Sequence, residues 1–339
     1  MATVHQNGVE DVKKTQVLGT GYAVPERILN NQDLELMVVT SDDWILSRTG
    51  IRERRICGPD QATSDLALSA AEQALKESGI EASDLDLILV ATVTPDMVFP
   101  STACLLQARL GASNAAAFDI SAGCTGFVYA LAVADRFLKT GDYRYVLVVA
   151  AETLSRITDY TDRNTCVLFG DGAGAMVLGR GTGPSGILST YLGADGTGES
   201  LLYVPAGGSR IPTSQQTVSE HLHYIRMQGN EVFRFAVTTI PECVRRVLEP
   251  AGVSINEVDH FIFHQANLRI LQTAAKRMRI PWDKMLINIE RYGNMSAACI
   301  PLAVAEAVDD NMIQPGQLLL MVAFGAGLTM GSTLVRWGR

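Results

Sequence analysis

No Cys-x-x-Cys pair occurs in this chain, and none of its six cysteines (Cys57, Cys104, Cys124, Cys166, Cys243, Cys299) has a histidine ligand close by in sequence. That scatter disfavours a zinc site and a disulfide framework, so no metal is expected and a reducing cytoplasm is the expected compartment. Basic residues are outnumbered, 28 against 36 acidic ones, and the net charge of −8 excludes general nucleic-acid binding, which needs a basic surface to neutralise phosphates. No apolar run reaches the length of a membrane span, and the polar start from Met1 to Lys14 lacks a signal-peptide core. A soluble protein with no membrane association is expected. What is present is apolar: 47% hydrophobic residues against 19% charged in 339 residues, enough for a large core in two domains or in one domain of two similar halves.

The stretch Phe118 to Phe127, Phe-Asp-Ile-Ser-Ala-Gly-Cys-Thr-Gly-Phe, places Cys124 where a buried strand is expected to end and an apolar helix, running to Lys139 and stopped by Gly141, to begin. At a helix start the free N–H groups and the dipole favour thiolate, so the thiol pKa is expected to fall toward neutrality. Taken alone, a cysteine among alanines is more often a small buried hydrophobe. Upstream, Arg48, Arg52, Arg54 and Arg55 crowd behind Trp44 in an otherwise acidic protein. A solvated face is the bland reading. A nucleotide handle, with indole and guanidinium stacking on a base, is the sharper one. Gly170 to Leu178 formally satisfies Gly-x-Gly-x-x-Ala but runs into a strand instead of opening a helix, so a dinucleotide site is not expected. Residues 181–223 are rich in Gly, Ser, Thr and Pro, and read as a surface excursion.

An internal repeat organises the rest. Gly79-Ile-Glu-Ala-Ser-Asp-Leu-Asp-Leu-Ile-Leu-Val recurs as Gly252-Val-Ser-Ile-Asn-Glu-Val-Asp-His-Phe-Ile-Phe, with Asp86 and Asp259 in register. Leu131-Ala-Val-Ala-Asp recurs as Leu302-Ala-Val-Ala-Glu, and Gly141 before Tyr145 recurs as Gly316 before Leu318. Two similar units imply an α/β fold with a pseudo-twofold axis and layered helices on buried sheets. The alignment sets Cys124 opposite Met295, beside Asn294, and makes the strand before His264 equivalent to the one ending at Val90. A thiol, an imidazole and a carboxamide then share corresponding element ends.

Cys124 in its motif, His264 in His-Gln-Ala-Asn-Leu-Arg-Ile and Asn294 in Tyr-Gly-Asn-Met-Ser-Ala-Ala together resemble the triad of β-ketoacyl-acyl carrier protein synthase III, of the thiolase superfamily. The likeness runs from about Gln16 to Arg336 and includes Trp-Ile-Leu-Ser-Arg-Thr-Gly-Ile-Arg-Glu-Arg and the closing Phe-Gly-Ala-Gly loop. It implies a thiolase-like fold of five layers, α-β-α-β-α. The expected division is a flexible arm at 1–14, an N-terminal half at 15–180, a connecting and surface-loop region at 181–226, and a C-terminal half at 227–339. The implied reaction condenses a short acyl-CoA primer, acetyl-CoA foremost, with malonyl-acyl carrier protein through an acyl-cysteine. Acyl-CoA is then a substrate, no cofactor is implied, and acyl carrier protein and a second copy of the chain are the implied partners.

By the same resemblance, backbone N–H groups of Cys124 and Ala326 form the oxyanion hole. Trp44 and Arg163 sandwich the CoA adenine, Arg48 meets the phosphates, and Gly229 and Asn267 line the pantetheine tunnel. Arg269, Lys276, Arg277 and Arg279 offer a basic patch to the carrier protein, and Phe99 reaches across a homodimer to close the acyl pocket. Two departures stand out: Ala326 where a third glycine is common, and Met295 where threonine is common, each expected to bear on pocket width. Ala206 to His223 also looks longer than in compact members. The alternatives are a related Cys-His-Asn condensing or acyl-transfer enzyme of polyketide or quinolone-type metabolism, and a non-catalytic acyl-CoA-binding protein. A thiolase proper would carry a second cysteine near Phe324 to Leu328, where none stands.

Overall fold

The computed structural model describes residues 14–339; the arm expected at 1–14 lies, but for Lys14, outside the described residues. In chain order the elements that build the layers are β1 (Lys14–Ala23), α1 (Asp42–Thr49), α2 (Thr63–Ser78), β2 (Leu87–Ala91), α3 (Thr102–Leu110), β3 (Ala116–Ile120), α4 (Gly126–Thr140), β4 (Tyr145–Thr153) and β5 (Asp171–Gly181). There follow β6 (Gly186–Ala194), α5 (Gly229–Ala251), β7 (His260–Phe263), α6 (Leu268–Met278), α7 (Cys299–Asp309), β8 (Leu318–Gly325) and β9 (Thr329–Arg336).

The first sheet runs β1-β5-β4-β2-β3 and the second β7-β8-β9-β6. In each, a parallel core (β2 with β4, β7 with β8) is extended by two antiparallel strands. A parallel bridge of Phe261 with Met285 stands where β3 stands in the first sheet. Strands covered on both faces alternate their apolar residues between two cores. Leu87, Leu89 and Ala91 join the central cluster with α4 and α7, whereas Ile88 and Val90 join the outer cluster under α2 and α3. Leu319 and Met321 likewise face the centre, and Leu320 and Val322 face α5 and α6. The result is five layers in the order helix, sheet, helix, sheet, helix.

The repeated aspartates explain why the pattern recurs. Asp86 N–H donates to Tyr145 O at 3.0 Å, and its carboxylate accepts from Tyr145 N at 3.0 Å. Asp259 does the same to Leu318, at 3.0 and 2.8 Å. Each clamps the first residue of the strand beside it.

The structure differs from the sequence reading in two places. Within the supposed surface excursion, Gly186 to Ala194 is β6, paired antiparallel to β9 as β1 is to β5, so this part of it belongs to the second sheet. Most of this edge strand is only half-buried on either face, which erases the period-two signal. The strand before Cys124, β3, is not buried: it is the sheet's edge, and Phe118 is 38% exposed. The glycine-rich stretch after Gly170 enters a strand, β5, as the sequence reading expects, and glycine there admits another backbone: a Cβ on Gly174 would lie 2.5 Å from Leu302 N of α7. No helix of the described residues is long and apolar enough to cross a membrane.

Candidate active site

Cys124 sits in a 3-10 turn, Gly123–Thr125, between β3 and α4. Gly123 holds φ +55°, and a Cβ there would stand 3.0 Å from Ala326 N. A Cβ on Gly325 would stand 2.7 Å from Cys124 N and 2.8 Å from its Cβ. The loop after β8 is thereby laid directly on the cysteine turn, and only glycine permits it. Alanine at 325 is expected to destabilise the protein by about 1–3 kcal/mol through overpacking. It should also slow acylation of Cys124 by acetyl-CoA at least tenfold. A melting curve and a timed adduct measurement check both, with Gly208→Ala as control. There a Cβ meets nothing within 4 Å, so no change in melting temperature or acylation rate is expected.

Burial disfavours the thiolate. Burial pushes Cys124 up to about 11, against the opposing pull of the Ser296 hydroxyl and the backbone N–H groups of Cys124 and Ala326. The expected fall toward neutrality is therefore corrected: desolvation of the sulfur is the largest influence on the thiol, and α4 itself begins only at Gly126. The two backbone N–H groups that favour the thiolate are those the resemblance assigns to an oxyanion hole.

His264 follows β7 directly, and its N–H donates to Val322 O of β8 at 2.8 Å. The ring lies edge-on to Phe324, centroids 5.3 Å apart, with Nδ1 buried and unpartnered. Burial pulls its pKa down to about 3, so the imidazole is neutral throughout the working range. Asn294 is fixed by its backbone, donating to Leu168 O at 2.8 Å and accepting from Gly170 N at 3.0 Å. Its Oδ1 accepts from Ser296 N at 2.9 Å, which leaves Nδ2 as the free end of the amide.

All three side chains line one cavity of about 110 Å³, together with Gly229 and Asn267. A second cavity of about 270 Å³, walled mainly by apolar residues including Leu154, Ile157 and Ile225, also opens on Cys124, between Ser296 and Ala326. Phe169 and Leu202 line both. The thiol thus stands between a passage toward α5 and α6 and an apolar chamber behind it.

Other expected positions fall as follows. The Arg163 guanidinium lies over the Trp44 ring, 4.7 Å from its centroid, so the pair is together with its slot closed; an adenine between them needs about 7 Å. Asn267 ties α6 to α1, with Nδ2 donating to Arg48 O at 2.9 Å and Oδ1 accepting from Arg269 N at 2.8 Å. Arg269, Lys276, Arg277 and Arg279 are all exposed, and the first three project from one side of α6. Phe99 is 83% exposed, beside Val98 at 90%, and lines neither cavity of its own chain. Met295 is fully buried in the central core and lines neither cavity, so the expectation that it sets pocket width is corrected. Its sulfur fills the place of the side chain that Gly172 lacks.

The arginine cluster also divides. Arg52 pairs with Glu290, and Arg54 is wholly buried, donating to Leu29 O at 3.2 Å, Asn31 Oδ1 at 2.8 Å and Val167 O at 2.7 Å. Burial lowers it to about 10. It braces the segment at Val167, next to the Leu168 carbonyl that holds Asn294, and is neither a solvated face nor a nucleotide handle. Glu152 and Ser296 were not singled out from the sequence. A glutamate closing the apolar run Tyr145 to Ala151 was the available signal for the first. No group of three or more His, Cys, Asp or Glu placed to hold a metal occurs among the described residues.

Comparison with known proteins gives matches over both halves. Residues 118–196 match the family described as 3-oxoacyl-[acyl-carrier-protein (ACP)] synthase III, and residues 248–337 match its C-terminal counterpart. The chain is 59% identical over 326 residues to the beta-ketoacyl-[acyl-carrier-protein] synthase III of Syntrophomonas wolfei, covering 96% of this chain and 98% of that one. The crystal structure of 3-oxoacyl-[acyl-carrier-protein] synthase III from Aquifex aeolicus superposes with TM-score 0.89 at 47% identity, covering 95% of this chain and all of that one. The priming β-ketosynthase of the R1128 polyketide pathway superposes with TM-score 0.90 at 34% identity, covering 98% of each.

Proposed function

The chain belongs to the 3-oxoacyl-[acyl-carrier-protein] synthase III family, and from that membership we propose how this site carries out the family's decarboxylative condensation. The enzyme is an acyltransferase that performs the initiating condensation of fatty acid synthesis. Its substrates are a short acyl-CoA, acetyl-CoA foremost, and malonyl-acyl carrier protein. Cys124 attacks the thioester carbonyl, the oxyanion is held by the N–H groups of Cys124 and Ala326, and CoA leaves. Malonyl-carrier protein then loses CO2, and the enolate oxygen is met by two neutral donors, His264 Nε2–H and Asn294 Nδ2. Neutral donors suit a dry pocket, where a developing anion is stabilised without reorganisation of solvent. The enolate carbon attacks the acyl-cysteine, and the thiolate of Cys124 leaves. Every bond change is supplied by substrates and side chains, with acyl-CoA consumed and no bound cofactor called for.

The observation that carries this reading is the convergence of Cys124, His264 and Asn294 on one cavity, with a separate apolar chamber opening on the same sulfur. The chamber takes the acyl group, and the passage lined by Gly229 and Asn267 takes pantetheine. Trp44 with Arg163 and Arg48 serve the nucleotide outside. A homodimer is supported by the exposed Val98-Phe99 pair and by β3, whose outer edge has no strand partner among the described residues. In that assembly Phe99 of a second copy closes the chamber and limits primer length. The greater identity to the Syntrophomonas enzyme than to the polyketide-priming ketosynthase weighs toward primary fatty acid synthesis in the cytoplasm. The test is the complete reaction: acetyl-CoA plus malonyl-carrier protein yields 3-oxoacyl-carrier protein and CO2 in equal amounts, and an absence of both sinks the reading.

Arg269, Lys276, Arg277 and Arg279 form the docking face for the acidic carrier protein. Arg269→Glu is expected to raise KM for malonyl-carrier protein about tenfold or more while leaving acylation by acetyl-CoA unchanged. Equal losses in both half-reactions contradict docking.

A further inference from the structure

Attack by Cys124 requires its proton to go somewhere, and the imidazole is poorly suited to take it. Burial pulls the His264 pKa far down, so the imidazole holds a proton poorly. A second acceptor lies in β4. Glu152, at the end of β4, is wholly buried. Its Oε2 accepts from Thr94 Oγ1 at 2.7 Å, Val93 N at 3.1 Å and Thr92 Oγ1 at 3.3 Å. Its Oε1 has no partner, nor has the buried hydroxyl of Ser296. Two orphaned polar atoms of complementary kind are costly unless used. The turn Ser296–Ala298 packs against both β4 and the Gly123–Thr125 turn, and Ser296 lines the chamber that opens on Cys124, with its hydroxyl bonded to neither the thiol nor the carboxyl at rest. Ser296 also holds φ 49°, a left-handed conformation unusual for serine that persists only where the surroundings impose it.

We propose that Glu152, acting through the Ser296 hydroxyl, receives the Cys124 proton as the acyl-enzyme forms and returns it when the thiolate leaves after condensation. The proposal rests on Cys124 being the nucleophile. In the first step the Cys124 S–H bond breaks as its S–C bond forms. Ser296 Oγ takes that proton and passes its own to Glu152 Oε1, while the CoA thiolate departs and is protonated from solvent. In the second, the thiolate expelled by the enolate recovers its proton by the reverse transfer, so the enzyme ends as it began.

Burial pushes Glu152 up to about 7, which leaves the carboxylate populated at neutral pH yet basic enough to accept. The titratable groups facing it are few. They are the thiols of Cys124 and of Cys299 on α7. The neighbouring Asp171 of β5 is already engaged by Cys57 N, Ser155 N and Ser155 Oγ. From α2 the packing surface is the alanines Ala67, Ala70, Ala71 and Ala74. The buried Asp135 of α4 is tied to Lys139.

The test is the rate of Cys124 acylation by acetyl-CoA, read by quenched intact mass between pH 5.5 and 9.5. Wild type is compared with Glu152→Gln, which keeps an acceptor for Thr94 but cannot take a proton, and with Ser296→Ala. Wild type should rise with a midpoint near pH 7. Both variants should lose that midpoint, fall about a hundredfold at pH 7, and climb toward wild type as the thiol ionises at high pH. Melting temperature supplies a second readout. A carboxyl whose folded pKa is raised contributes stability that is present below its ordinary value and lost as pH rises through about 7. Glu152→Gln should therefore gain melting temperature over wild type at pH 8.5 more than at pH 5. Wild-type rates and an unchanged midpoint in both variants overturn the proposal. Should the Glu152→Gln variant fail to fold, Ser296→Ala decides alone by its pH profile. A wild type that forms no adduct overturns the role of Cys124 instead, so the two failures are distinguishable.

Discussion

Cys124→Ala is expected to abolish the acyl adduct and condensation while decarboxylation of malonyl-carrier protein continues. Alanine removes only Sγ from a turn whose packing against Gly325 depends on backbone and Cβ, so the fold should hold. His264 and Asn294 remain in the cavity with their own anchors, to Val322 and to Leu168 and Gly170. The two half-reactions draw on different groups: carbon–sulfur chemistry needs the nucleophile, whereas enolate formation needs the donors. Condensation should therefore drop by about 10⁴-fold or more, the scale on which removing a covalent nucleophile acts. Released CO2 should persist without 3-oxoacyl product. Intact mass, CO2 release and product analysis of the same sample settle it. Product formed at more than a trace by the variant means that another group carries the acyl chain.

Much of this was legible in the chain because the repeat preserves contacts and not merely composition. Asp86 and Asp259 recur since each clamps the first residue of a neighbouring strand, and that clamp fixes the register of the sheets on which Cys124, Asn294 and His264 ride. Two layers of parallel strand covered on both faces leave continuous apolar runs that cannot be misplaced. What escaped was set by three-dimensional surroundings. The thiol pKa depends on how much water reaches the sulfur, which no local pattern encodes. Arg54 stands beside Arg52 and Arg55 in sequence, yet backbone carbonyls and Asn31 satisfy it in the interior. Met295 occupies a motif position next to Asn294 but faces Gly172 in the core. The strand Gly186–Ala194 escaped because an edge strand half-buried on both faces has no alternation to read. Glu152 reads as a strand end; its meaning comes from its buried, unpartnered oxygen.

His264→Ala is expected to give the converse of the Cys124 variant: the acyl adduct forms at close to the wild-type rate, and decarboxylation falls about 10²–10⁴-fold, the usual cost of deleting a donor to a developing oxyanion. Retained acylation follows because the imidazole, near pKa 3, is not the base in that step. His264→Gln, which can place an amide N–H near the position of Nε2, should recover part of the loss. Since the ring stays neutral, the decarboxylation rate should show no descending limb from His264 between pH 8 and 6. Stability gives an independent check with a definite sign. The folded pKa lies below the ordinary histidine value of about 6.5, so the unfolded chain binds the proton first. The contribution is complete above pH 6.5 and is lost as pH falls through the range down to about 3. Between pH 7.5 and 5 the wild type should lose about 2 kcal/mol on this account, at 1.36 kcal/mol per pH unit below 6.5. His264→Ala starts less stable at pH 7.5 because it leaves a cavity beside Phe324, yet it lacks this acid sensitivity, so the gap to wild type should narrow toward pH 5. Parallel loss of stability in the two proteins would mean that the imidazole is hydrated and protonated in the fold, and a protonated ring would make it a cationic, not a neutral, stabiliser of the enolate.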